Sequence, residues 1–287
     1  MKFIKLFFWG GFIYFFLIAG GTEFSSCQKT VTEYDTVTKI KKDTVIKTDT
    51  LTILDSLSEL KQGLVAYYNF NNGNLDDSSG YGNSIIFSNA TKTTDRFGRP
   101  NNAYLFDGST SYMQVHNSAS LNPTNITIMA IVKFNGYYEG LYYSNEILMK
   151  GPADQAQGIY GIRVGPSNGN CCTTGQADTT QQVFEGFYGD NGTTNFNFGL
   201  PYFTRTNTWA TVVMTYDGFQ SRMYVNGALK STLNGIAIFT PNTNDLYIGK
   251  TENPLYPFWF NGVIDELRIY NKALGEDDVR ALSSLTQ

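Results

Sequence analysis

The sequence is short of the groups that carry most hydrolytic and metal chemistry. It holds one histidine, His116, in 287 residues, which leaves little room for a histidine-based metal site or a Ser–His–Asp relay. With one histidine and no nucleophile elbow, catalysis by another route has no support in the sequence. Charged residues make up only 16% of the chain, with a formal net charge of −4. The positive charges are scattered, and no basic stripe interleaved with aromatics is found, which excludes nucleic acid as a partner. No long amphipathic helical pattern interrupts the chain either. What is abundant is aromatic residues, at 15%, together with Gly, Asn, Thr and Ser. That mixture suits many short strands joined by polar turns, and an extracellular protein rather than a cytosolic helical enzyme.

Residues 1–26 read as an export signal. Lys2 and Lys5 form a short basic start, and Leu6 to Ile18 is a Phe-rich apolar run too short to span a bilayer comfortably. Phe24-Ser25-Ser26 directly before Cys27 resembles the relaxed lipobox of Bacteroidetes lipoproteins, in which the Cys is lipidated and becomes the mature N-terminus. Phe24 departs from the usual aliphatic residue, and residues 20–23 lengthen the gap between the apolar run and the Cys. The resemblance implies an exported lipoprotein, anchored to a membrane through Cys27. Residues 27–62 form a polar spacer rich in Lys, Asp and Thr, with too little apolar content for a core. Leu51, Leu54, Leu57 and Leu60 fall at intervals of three and allow one short helix there.

From Gly63 onward the texture is strand and turn. Leu64–Phe70, Ala103–Phe106, Tyr112–Val115, Ile126–Phe134, Ile147–Met149, Tyr160–Val164, Val183–Phe187, Ala210–Tyr216, Arg222–Val225, Leu246–Ile248 and Val263–Tyr270 are predicted strands. Asn226-Gly227 between two such runs marks a hairpin. Three acids at 276–278, ahead of Val279-Arg280-Ala281-Leu282, predict a short terminal helix. Without helices to cover a parallel sheet, the strands build an antiparallel two-sheet sandwich.

One residue breaks the pattern. Strict alternation through 263–270 puts Val263, Asp265, Leu267 and Ile269 on one face and Ile264, Glu266, Arg268 and Tyr270 on the other. An ionised Asp265 on that apolar face needs a hydrogen-bonding shell, a cation or a metal.

Several segments, in order, resemble the LamG-like jelly roll of the concanavalin A-like lectin/glucanase superfamily. They are the entry strand at 63–70, Asp77-Ser78-Ser79-Gly80, and Ala103-Tyr104-Leu105-Phe106-Asp107-Gly108. Then follow 209–218, Met223-Tyr224-Val225-Asn226-Gly227, Tyr247-Ile248-Gly249 and the closing run 260–274. The resemblance covers 63–287 and implies that the first and last strands lie side by side. It also implies a structural calcium held by Asp77 and Asp265, with Asn71 and Asn83 as further oxygen donors, a donor chemistry that suits that ion. Asn71 replaces a common Asp, and Ser84-Ile85 replaces a polar-Gly pair.

Glucanases of the superfamily carry Glu-x-Asp-x-x-Glu on one strand, which aims two carboxyls into one cleft. That run is missing here, Asp265 and Glu266 are expected on opposite faces, and Glu185 has only Glu146 or Asp190 as a partner from another strand. The chain is therefore read as a non-catalytic binding module for carbohydrate, with a protein-binding or adhesive domain as the alternative and a glycoside hydrolase behind it. Aromatic platforms suit sugar C–H faces. The Gly-flanked loop with Tyr137, Tyr138, Tyr142 and Tyr143 is the expected platform, with Arg163 and Glu185 as polar readers. Trp259 is assigned to core packing. Cys171 and Cys172 are adjacent and form either a strained vicinal disulfide beside the ligand or two thiols.

Overall fold

The closing stretch 261–270 is the seam of the molecule. A computed structural model of the chain describes residues 59–137, 144–151, 158–166, 182–190, 198–199 and 206–285. In chain order the strands there are β1 (Leu64–Tyr68), β2 (Ile85–Ser88), β3 (Thr91–Thr93), β4 (Ala103–Asp107), β5 (Met113–Val115), β6 (Ile126–Phe134), β7 (Asn145–Lys150) and β8 (Ile159–Pro166). They continue with β9 (Gln182–Gly189), β10 (Phe198–Gly199), β11 (Trp209–Tyr216), β12 (Gln220–Val225), β13 (Ala228–Asn234), β14 (Leu246–Ile248) and β15 (Asn261–Tyr270), followed by helix α1 (Glu276–Leu285). One sheet has the order β13-β12-β11-β6-β15-β4-β3, with β1 also on β15, and the other runs β10-β9-β8-β7-β14-β5-β2. Every pairing is antiparallel. This is the expected two-sheet jelly-roll sandwich.

Alternation explains the core. Ile128, Ala130 and Val132 of β6, Val212 and Met214 of β11, and Ile264, Leu267 and Ile269 of β15 meet Ile162, Val164, Phe184, Leu246 and Ile248 of the second sheet. The opposite phase of the first sheet is apolar where α1 covers it. There Met129, Ile131, Val213, Tyr224 and Tyr270 pack with Leu274, Val279 and Leu282. A ten-residue helix is marginal alone. Its buried Val279 and Leu282 contribute about 2 kcal/mol each on docking, and Glu276, Asp277 and Asp278 in its first turn suit the helix dipole. Asn226 and Gly227 both take positive φ between the paired residues Val225 and Ala228, so the tight hairpin turn forms as expected.

The first and last strands lie side by side, Tyr68 opposite Leu267. β15 pairs with β4 through its first half and with β1 through its second. At that change of partner the register against β6 shifts: Ile264 faces Val132 and Glu266 faces Ile131. Asp265 is the extra residue of a β-bulge. Strict alternation therefore fails at this point, and the core-facing set is Ile264, Leu267 and Ile269, without Asp265.

Candidate functional site

The bulge decides what Asp265 does. Its carboxylate leaves the ladder and accepts hydrogen bonds from the Arg96 amide at 3.2 Å and the Arg96 guanidinium at 2.5 Å. Glu266 also lies by Arg96, at 3.7 Å, so the adjacent acids do not point to opposite faces. Burial raises the Asp265 carboxyl above its usual range, and Arg96 pulls it back. Asp77 is spent elsewhere. Its oxygens accept from Tyr67 N, Ser79 N, Ser79 Oγ and Asn83 N at 2.7–3.0 Å, which caps its own turn. Asn83 bonds Val65 O, Ser120 Oγ and Ser118 Oγ through its side chain. Asn71 bonds Asn69 through its amide and is exposed. The structure thus brings Asp77 and Asn83 together but gives Asp77 and Asp265 no common partner. A calcium shell shared by the four residues does not fit this arrangement, because Asp265 already faces a guanidinium and Asp77 has its lone pairs filled. Among the described residues no three His, Cys, Asp or Glu side chains gather as a metal would need.

Arg163 and Glu185 do meet. They are cross-strand partners on β8 and β9, and Arg163 Nε donates to Glu185 Oε2 at 2.5 Å. Glu146 on β7 lies 3.5 Å from the same guanidinium. All three are buried, on the face of the second sheet turned away from the core. Both Glu146 oxygens lack a hydrogen bond, and burial pushes its carboxyl up to about 8. That displacement favours the protonated form of Glu146 beside the Arg163–Glu185 ion pair. Asp190 is not part of this group; it ties Gly158 N to Thr240.

Tyr137 is only partly a platform residue. Its hydroxyl donates to Gly165 O at 3.0 Å and its ring sits edge-on to Phe134 at 5.3 Å, so it packs against the core. Tyr138, Tyr142, Tyr143, Cys171, Cys172 and the whole of 1–58, Cys27 included, lie outside the described residues.

The same outer face of the second sheet carries a constellation that the sequence reading missed. Phe87 on β2, Tyr112 just before β5, Tyr247 on β14 and Trp259 before β15 converge. Tyr112 lies 4.7 Å from Phe87, 6.1 Å from Tyr247 and 6.1 Å from Trp259, centroid to centroid. Phe87 is 41% exposed, and the other three rings are partly open to solvent. The strands dictate this: Met113, Val115, Leu246 and Ile248 turn inward, so Tyr112, Gln114 and Tyr247 turn out. Lys250 Nζ sits 4.4 Å from the Tyr112 ring centre, 5.0 Å from Trp259 and 5.2 Å from Tyr247, and it has no ion pair among the described residues. Burial lowers its pKa. Beside it, Asp245 accepts from Gln114 Nε2 at 2.6 Å and from Asn117 N at 2.9 Å. Glu252 accepts from Asn244 at 2.7 Å. A cation, carboxylates and amides at the edge of open ring faces can read hydroxyl groups while the rings take C–H surface.

A family model described as the concanavalin A-like lectin/glucanases superfamily matches residues 107–280. No curated protein matches the sequence. Among solved structures, domain 4 of AbnA, a GH43 extracellular arabinanase from Geobacillus stearothermophilus, in complex with arabinotriose, aligns at 20% identity with a TM-score of 0.55. The alignment covers 77% of this chain and 98% of that one. The botulinum neurotoxin type G receptor binding domain aligns at 15% identity, TM-score 0.56, over 78% of this chain and 52% of that one. The binding domain of Paraclostridial mosquitocidal protein 1 does so at 16%, TM-score 0.56, over 79% and 53%. The chain spans about half the length of the toxin domains, and at these identities the likeness concerns the fold.

Proposed function

The chain belongs to the concanavalin A-like lectin/glucanase superfamily, and on that premise we propose that it is a non-catalytic module that binds carbohydrate on the outer face of its second sheet. The observation that carries the reading is the open cluster of Phe87, Tyr112, Tyr247 and Trp259 around Lys250. Sugar rings offer weakly polarised C–H faces that stack on such rings, and their hydroxyls need the donors and acceptors found at its edge. The arabinotriose complex of the AbnA domain supports the ligand class. Catalysis is not part of the proposal: Glu146 and Glu185 share Arg163 and are buried, which does not suit a nucleophile and acid facing a substrate across a cleft.

The module is further proposed to be exported and tethered by a lipid on Cys27. That part rests on the sequence order of basic start, apolar run and Cys, and metabolic labelling with palmitate, lost in Cys27→Ser, tests it. The binding reading is tested on a glycan array with the wild type and Trp259→Ala. Bound glycans whose signal falls at least tenfold in the variant support it. An array with no binding, alongside capture of a purified surface protein, favours the adhesive alternative instead.

A further inference from the structure

The opposite side of the sandwich carries a second recess. On the outer face of the first sheet, beside the Asp265 bulge, a cleft of about 240 Å³ is lined by Arg96, Phe97, Ile131, Trp209, Thr211 and Asn226 among others. That volume is below the range of drug-sized pockets and suits one small ring. Trp209 is partly exposed over Ile131, and Phe97, 49% exposed, stands beside it with the Arg96 and Arg99 guanidinium groups 4.4 and 5.0 Å from its ring centre.

The rim offers donors. Lys133 Nζ stands 5.4 Å over the Trp209 ring and has no ion pair among the described residues. Arg96 Nε is buried with no acceptor. Asn226 uses its amide oxygen on Thr211 N, which leaves its NH2 group at the rim. The nearby carboxylates are all committed. Asp95 accepts from Phe97 N, Arg99 N and Arg99 Nε, Asp265 from Arg96, and Glu266 from Arg268 Nε. Among the described residues Arg96, Arg99 and Arg268 pair with those three acids, and Lys133 is the cation of the rim with no ion pair. An apolar-walled recess the size of one ring with such an ammonium at its edge calls for a ring with one C–H face and one anionic substituent.

We infer that this cleft binds a hexuronic acid unit, with the sugar ring against Trp209 beside Phe97 and its carboxylate on Lys133. The site is separate from the Trp259 platform and does not depend on it. Glucuronate and galacturonate, titrated against the labelled domain by NMR beside glucose and galactose, test it. The expected result is saturable shifts at Trp209 and Asn226 with the uronates, at least fivefold weaker with the neutral sugars and weakened by added salt. Lys133→Gln should weaken binding at least fivefold. Asn226→Asp keeps the acceptor for Thr211 and the left-handed backbone that Asp tolerates, but it puts a negative charge at the rim and should abolish binding. Trp259→Ala should leave it unchanged. Absence of uronate binding, equal response to neutral sugars, or loss in Trp259→Ala with retention in Asn226→Asp would each overturn the inference.

Discussion

Replacing Glu146 with Gln should make the fold less sensitive to rising pH. Glu146 is fully buried, its carboxyl is pushed from 4.5 to about 8 by burial and by the neighbouring Glu185, and Arg163 offsets this only in part. Between those two values the native state holds a proton that the unfolded chain has released. Stability therefore falls as pH rises through the window, and it is greatest at the acidic end. At about 1.36 kcal/mol for each pH unit, the full displacement amounts to roughly 5 kcal/mol. Gln keeps the shape and cannot ionise. Urea unfolding between pH 5 and pH 8.5 should give a slope in the wild type that is mostly absent in Glu146→Gln, with the variant more stable at pH 8. Equal slopes for the two proteins, or a variant less stable at pH 8, would refute the assignment of a protonated carboxyl.

Three further outcomes follow. Asp265→Asn removes the charge that answers a largely buried Arg96; breaking such a pair costs about 3 kcal/mol, or roughly 6–12 °C in Tm for a domain of this size. A Tm unchanged within 2 °C would contradict the pairing. Because Asp77 and Asp265 are each satisfied by protein donors, a chelator should leave the Tm where it is, and a calcium-dependent rise would show that another donor set exists. Asp107 accepts four hydrogen bonds from residues 109–111, which hold its carboxyl far below the usual range. Its contribution is present above the unfolded value and lost as pH falls, so Asp107→Asn should flatten acid unfolding below about pH 4; an unchanged acid limb would argue otherwise.

Much of the fold was legible because its central strands obey a period of two between turn residues. β6 and β14 have the expected ends, and the Asn226-Gly227 hairpin followed from two residues. β2 and β3 were not legible: both are short, and most of their residues are solvent-exposed, which erases the apolar alternation. Asp265 drew attention as a carboxylate in need of a hydrogen-bonding shell or a cation, which Arg96 supplies, but its face was misassigned. A bulge adds one residue without leaving a sequence mark, and every assignment of faces beyond it depends on knowing the register. Arg163 and Glu185 were named together as polar readers, and only the strand pairing shows them as one buried ion pair. The platform was hidden for a different reason. Its rings come from four strands or loops spread over residues 87–259, and Trp259 was read as core. The available signal was weak but present: Tyr112 and Tyr247 are aromatic residues in the solvent phase of strands whose other phase is Met113, Val115, Leu246 and Ile248.

Carbohydrate recognition on the outer face depends most directly on Trp259. Calorimetric titration of the best array ligand into the wild type, Trp259→Ala and Lys250→Ala should show binding in the first, and affinity at least tenfold weaker in Trp259→Ala. That loss corresponds to about 1.4 kcal/mol or more, the range of a stacked aromatic contact. Lys250→Ala should weaken binding severalfold while all three proteins keep similar melting temperatures. Undiminished binding by Trp259→Ala would place carbohydrate recognition elsewhere on the molecule and contradict the central claim.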